Sequence, residues 1–269
     1  MLLSEILERF QGFWPAESAD EWDRVGLTVG DPAARVTKVL VSVDLTEAVI
    51  EEAQANGCQL ILTHHPALLK GVNYLAETEL KGRLVAMLHR AGISNFAAHT
   101  NADVQSDGAS SVMARRFGLL GLEPLVAVPG SFGHGVIGAL AKPMTLREFS
   151  KVVSANLPNV ARKIAFAGEP LKLVSKVAVC SGAGESFLPT VIGSDADVYV
   201  TSDLRHHPTL DSVSAPRRNG KLSLIDVSHF AAESLWVESA CERLKTISEL
   251  EVLASLLVTD PWTEEVGND

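Results

Sequence analysis

The chain has 269 residues, of which 46% are hydrophobic and 21% charged, and it carries a formal charge of −10. That composition suits a globular protein with a sizeable core and excludes a disordered chain. The acidic balance argues against general nucleic-acid binding, which needs a basic face for phosphate.

Cys58, Cys180 and Cys241 are odd in number and widely spaced. They suggest no disulfide framework and favour a reducing compartment. Met1-Leu2-Leu3 runs straight into Ser4-Glu5 without a long apolar stretch, so no secretory leader is expected. No run of 18 apolar residues predicts a membrane span. The expected address is the cytoplasm.

In chain order, Leu3, Ile6, Leu7 and Phe10 have the spacing of a short amphipathic helix. Trp22-Asp23-Arg24-Val25-Gly26-Leu27-Thr28-Val29-Gly30 reads as a strand whose backbone packs closely against a neighbour. Trp22 itself reads as core or subunit contact rather than a stacking platform. Val39 to Val43 predicts a strand ended by Asp44, and Thr46 opens a helix stopped by Gly57. Leu60-Ile61-Leu62 is a buried strand that breaks into Thr63-His64-His65-Pro66, because proline cannot donate to a central ladder. Leu84, Val85 and Leu88 mark a helix stopped by Gly92. Ile93 to Ala98 is a strand ending at His99, and Ala109 to Phe117 is a helix stopped by Gly118.

Pro129 to Gly135 is a composition break, read as the joint between an N-terminal lobe (1–128) and a C-terminal lobe (129–269). Alternation then resumes. Strands are expected at Val136 to Leu140, Ala161 to Ala167, Lys176 to Cys180, Val198 to Val200, Leu222 to Ile225 and Val252 to Val258. Thr145 with Glu148 forms a helix capping box. A short helix is expected at Ser186 to Ile192 and a helix at Ala232 to Leu244, and Thr263 to Asp269 is a polar tail. Strands alternating with helices predict an α/β fold of two lobes with mostly parallel or mixed sheets. Open sheets of this kind bind ligands at the carboxyl ends of their strands.

Four polar sets fall at such ends: His64-His65; His99 with Asp103; Asp203 with His206 and His207; and His229 with Glu233. The i, i+4 spacing of His229 and Glu233 places both on one helix face. One histidine at a strand end is ordinarily a hydrogen-bonded loop residue, but four sets at one edge argue for a metal site. Histidines and carboxylates without cysteine suit zinc, manganese, iron or cobalt. Glu233, with two oxygens, can bridge two ions. Adjacent His64 and His65 point to opposite faces of a strand, so they would serve two ions, or one ion and one supporting contact. The turn Ser181-Gly182-Ala183-Gly184-Glu185-Ser186 reads as a plain strand-to-helix connection.

Trp22 to Gly30, Thr63-His64-His65-Pro66, His99-Thr100-Asn101-Ala102-Asp103 and Asp226-Val227-Ser228-His229-Phe230-Ala231-Ala232-Glu233 occur together and in this order. In this the chain resembles the GTP cyclohydrolase I type 2 homolog family (NGG-one-interacting-factor-three-like), in its short form without an inserted domain. The resemblance covers about Leu3 to Pro261. It implies a toroidal homohexamer whose two-lobed subunit holds a dinuclear metal centre in the cleft between the lobes. By motif match, His64, His65, Asp103, His229 and Glu233 would be the ligands, with Glu233 bridging. His99 would lie near the metals, and Asp203 and His207 in a stretch that contacts substrate. Arg24 stands where the family often has Asn, and Ser202 where it often has Gly. The expected function is therefore a dinuclear-metal-dependent hydrolase that activates a metal-bridging water against a small nucleotide-like molecule. GTP is the named candidate, and His99 or His207 would shuttle the proton. The alternatives are a metal-binding adaptor or regulatory ring without turnover, and a phosphoesterase using the same centre. Sequence alone assigns no role to His206 or Cys58.

Overall fold

The computed structural model describes residues 1–218 and 220–266. In chain order its elements are α1 (Leu3–Phe13), β1 (Gly26–Val29), β2 (Lys38–Ser42), α2 (Glu47–Ala55), β3 (Leu60–Thr63), α3 (Leu80–Ala91), β4 (Ser94–Ala97), α4 (Thr100–Asp103), α5 (Ala109–Arg116), β5 (Leu119–Ala127), β6 (Gly133–Thr145), α6 (Leu146–Ala155), β7 (Ala165–Ala167), β8 (Leu173–Ala183), α7 (Leu188–Gly193), β9 (Val198–Ser202), α8 (His206–Ser214), β10 (Ser223–Val227), α9 (His229–Leu244) and β11 (Glu251–Ala254). They gather into two units. One comprises Met1–Gln105 with Trp236–Thr259; the other comprises Ser106–Leu235 with the residues from Asp260 onward.

The first unit holds a five-stranded sheet in the order β1-β4-β3-β2-β11. β4, β3, β2 and β11 are parallel, and β1 is an antiparallel edge. Every residue of β3 and β4 is buried, which is why Leu60-Ile61-Leu62 is a continuous apolar run rather than an alternating one. Leu40, Ile61, Val49, Ile50, Leu84 and Leu88 pack into one core, each fully buried side chain contributing roughly 1.5–3 kcal/mol. Thr46 caps α2, its Oγ1 accepting from Val49 N at 3.2 Å. The strand expected over Trp22 to Gly30 is cut to its last residues. Asp20 to Asp23 instead form a turn, closed by the Asp23 N–H donating to Asp20 O at 2.9 Å, and the Asp23 side chain folds inward and is fully buried. Close packing does occur at Gly30, where an added Cβ would overlap Ser94 Oγ. The last strand is likewise shorter than expected, and Leu256 to Val258 are exposed.

The second unit holds a six-stranded sheet in the order β5-β6-β8-β9-β10-β7. β8, β9 and β10 are parallel, and β5, β6 and β7 are antiparallel. Val177, Val179, Val198, Val200 and Ile225 pack with Leu146, Phe149 and Val153 of α6. The capping box at α6 is present: Glu148 N donates to Thr145 Oγ1 at 3.2 Å, and Thr145 N donates back to Glu148 Oε2 at 2.8 Å. The segment expected to join two lobes is instead the turn of the β5–β6 hairpin, and the chain divides at Gln105/Ser106. A split into 1–128 and 129–269 would cut that hairpin, and it misses the return of 236–259 to the first unit. β5 and α8 were not anticipated, and the Ala161 to Ala167 strand is reduced to three residues. Residues 267–269 of the polar tail lie outside the described residues. No helix among the described residues is long and apolar enough to cross a membrane.

Polar residues follow the carboxyl ends of the parallel strands in both sheets. Asp44, His64 and His99 come just after β2, β3 and β4, and Asp203 and His229 just after β9 and β10.

Candidate functional site

In the first unit, one ring nitrogen each from His64, His65 and His99 lies within 4.8 Å of the other two. Adjacent strand residues would point apart, but the chain leaves β3 at Thr63, and the His64 and His65 ring centroids end 5.3 Å apart. His64 is completely buried. Its Nδ1 donates to the carbonyl oxygen of Ala98 at 3.0 Å, which assigns the proton to Nδ1 and the lone pair to Nε2. That Nε2 lies 3.7 Å from Asp103 Oδ1. The single turn of α4 returns Asp103 to this point, its N–H donating to His99 O at 2.9 Å. Trp236 packs its ring 4.9 Å from that of His64 and forms an apolar wall.

The other two rings are held the same way. His65 Nδ1 donates to Asp44 Oδ1 at 2.7 Å, and Thr259 Oγ1 donates to the other Asp44 oxygen at 2.5 Å. His99 Nδ1 donates to Asp23 Oδ1 at 3.0 Å, while Thr100 N and Oγ1 donate to Asp23 Oδ2 at 3.0 and 2.6 Å. Burial pushes the Asp23 carboxyl up, but the hydrogen bonds from His99 and Thr100 outweigh it and hold the group well below the usual carboxylate range.

In the second unit, the first turn of α9 sets His229 Nε2 2.9 Å from Glu233 Oε2. His229 Nδ1 donates to Asp203 Oδ2 at 2.6 Å. Asp203 has φ +58, alone among the described non-glycine residues in being positive. A strained backbone of this kind persists where the surroundings over-determine it. The hydrogen bond from His229 draws the Asp203 carboxyl below its ordinary value, against burial. Glu233 is 3% exposed. Gly182, at φ +68 in β8, passes so close that an added Cβ would overlap Glu233 Oε1. Arg162 lies 3.9 Å from Asp203 and 2.5 Å from Asp226.

The donor set fits divalent metal. Four imidazoles each engage Nδ1 with an oxygen acceptor and turn Nε2 the other way, and two of them have a carboxylate near Nε2. This is the arrangement by which proteins orient histidine for a metal. Of the residues singled out from sequence, His64, His65, His99 and Asp103 come together in one unit, and His229, Glu233 and Asp203 in the other. His206 and His207 do not join them: they are exposed at the start of α8, their rings edge to face at 5.2 Å. Cys58 belongs to the apolar core of the first unit. Asp23, Asp44 and Gly182 were missed as supports. Asp44 and Asp23 carried one signal, a carboxylate next to a strand end or an apolar run; Gly182 carried none.

A family model described as Duf34/NIF3 (NGG1p interacting factor 3) matches residues 1–261. A Streptomyces coelicolor protein named "GTP cyclohydrolase 1 type 2 homolog" is 38% identical over 99% of this chain and 95% of its own length. A Staphylococcus aureus hypothetical protein of solved structure superposes with a TM-score of 0.88 at 26% identity, covering 98% of this chain and 99% of that one. A Bacillus cereus protein related to NIF3 gives the same TM-score at 22% identity over 97% and 98%, which speaks to the fold alone.

Proposed function

The chain belongs to the Duf34/NIF3 (NGG1p interacting factor 3) family, and from that premise we propose that it is a metal-dependent hydrolase acting on a small nucleotide-like molecule. The observation that carries this reading is the set of four imidazoles whose Nδ1 atoms are each committed to Ala98, Asp44, Asp23 or Asp203. In this proposal His64, His65, Asp103, His229 and Glu233 hold two divalent ions, with zinc, manganese, iron and cobalt all compatible with the donors. Such ions, when bound, polarise a substrate oxygen and lower the pKa of water toward neutrality. Asp44 and Asp203 keep His65 and His229 in the tautomer that binds metal. The ring of His99, fixed by buried Asp23, takes up and returns a proton at Nε2 as the substrate reacts. His207, exposed at the start of α8, joins neither set of residues and takes no step in this proposal. Relatives named as GTP cyclohydrolase homologues make GTP the first substrate to try. The proposal also takes the assembly to be a homohexamer and the location cytoplasmic.

Elemental analysis of gently purified protein tests the centre. About two metal equivalents per chain are expected, with a clear loss in His64→Ala and Glu233→Ala. No metal after reconstitution with zinc, manganese, iron or cobalt would overturn the reading. So would a His64→Ala/Glu233→Ala double variant that consumes substrate as fast as wild type.

A further inference from the structure

Trp22 is 56% exposed, which excludes a place in the core of its unit. Its ring centroid nevertheless lies 5.8 Å from that of His99, edge to face at 82°. His99 in turn is one of the three clustered imidazoles. An indole in this position forgoes much of the burial it would gain inside.

The turn that carries it is braced on both sides. Asp23, the next residue, is buried and accepts hydrogen bonds from His99, Thr100 and the Arg24 N–H. Arg24 Nη1 donates to the carbonyl oxygens of Glu21 and Asp23, at 3.2 and 2.5 Å. The indole is therefore held out in solvent beside His99. Arg24 spends that nitrogen on closing its own turn, and Asp20 and Glu21 precede Trp22 in the chain. This side of the cluster suits an uncharged ring rather than a phosphate.

We propose that Trp22 is the stacking platform for a flat heteroaromatic ring of the substrate, held beside the His64–His65–His99 cluster. The inference rests on the metal-dependent hydrolase reading for what is bound, but the stack itself requires no turnover. Every nucleobase has a π-face, so the platform gives affinity for the ring while the remaining polar groups set which base is preferred.

Calorimetric titration of the full chain with guanosine 5′-monophosphate and, as a ligand without an aromatic ring, ribose 5-phosphate tests this. Wild type is expected to bind the nucleotide more tightly. Trp22→Ala should weaken it about 10- to 100-fold. Trp22→Leu, apolar but lacking a π-face, should do the same and serves if the alanine variant folds poorly. Trp22→Phe should recover most of the loss, and ribose 5-phosphate binding should not change. The proposal is overturned if wild type does not prefer the nucleotide, if its preference survives Trp22→Ala and Trp22→Leu, or if both ligands weaken together. Light scattering on the same samples covers the other occupant. A change in assembly mass with nucleotide affinity intact would make the indole a contact between copies and also overturn it. A wild type that shows the Trp22-dependent preference but hydrolyses nothing would remove the hydrolase reading and leave the stack. Metal-dependent turnover indifferent to Trp22 would do the reverse.

Discussion

Replacing Gly182 with alanine separates two costs. Gly182 has φ +68, and an added Cβ would overlap Glu233 Oε1, reach within 3.3 Å of Glu233 Cδ and lie 3.5 Å from His229 Nε2. The left-handed backbone alone costs an L-residue roughly 1–2 kcal/mol. Glu233 is only 3% exposed, so its carboxylate has no solvent to swing into and must leave its rotamer, at about 0.5–1.5 kcal/mol. Gly118→Ala isolates the first cost: Gly118 has φ +78 and nothing within 4 Å of its added Cβ. Urea unfolding of metal-free protein should therefore show a loss of roughly 1–2 kcal/mol for Gly118→Ala and roughly 1.5–3.5 kcal/mol for Gly182→Ala. Competition against a chromophoric chelator should show metal affinity unchanged in the first. In the second it should fall about 10- to 100-fold, as when the support of a ligand is disturbed. If the two variants match in both assays, either Glu233 yields without cost or it is not a ligand, and the reasoning fails.

Asp23→Asn should cost roughly 1.5–3 kcal/mol in unfolding, because charge-assisted hydrogen bonds to His99 and Thr100 are lost. The folded pKa of Asp23 lies below its unfolded value, so this stabilisation is full above about 3.8 and is lost as pH falls through the folded value. The wild-type advantage over Asn should thus hold from neutral pH to roughly pH 4 and shrink in stronger acid; an advantage that persists undiminished would contradict it. Adding a chelator should lower the melting temperature of wild type by several degrees, since a native-only ligand at 100 times its Kd contributes about 2.7 kcal/mol. Glu233→Ala should not respond, and an equal response would detach Glu233 from the metal. Burial pushes the Cys241 thiol up to about 11. Disulfide-exchange labelling at pH 8, mapped by peptide mass, should reach Cys241 only after denaturation, and fast labelling in the native state would refute its inertness.

Where local rules act alone, the sequence was readable. Thr46 and Thr145 cap helices with their own hydroxyls, and the apolar runs at Leu60 and Val198 are strands because both faces are covered. The histidines were visible because strand ends in α/β sheets are short and polar. The misreadings came from tertiary context. Pro129 and Gly130 look like a linker, but the same residues make a hairpin turn, and only pairing of β5 with β6 decides between them. α8 begins with two histidines and a proline and has one buried residue, so it lacks the apolar stripe that announces a helix. Asp23 lies 76 residues before His99, and no local pattern links the two. Gly182 looked like ordinary turn chemistry because its reason is a carboxylate contributed by a helix far along the chain.

The parallel pairing of Lys38 with Glu251 has a consequence for synthesis. The first unit cannot complete its sheet until Ala254 has left the ribosome, since β11 covers an edge of β2 that is made more than two hundred residues earlier. Until then β2 presents an open row of backbone donors and acceptors, the surface on which nascent chains join one another. Truncation after Leu250 should therefore fail by aggregation during expression, more than by loss of any side chain near the histidines.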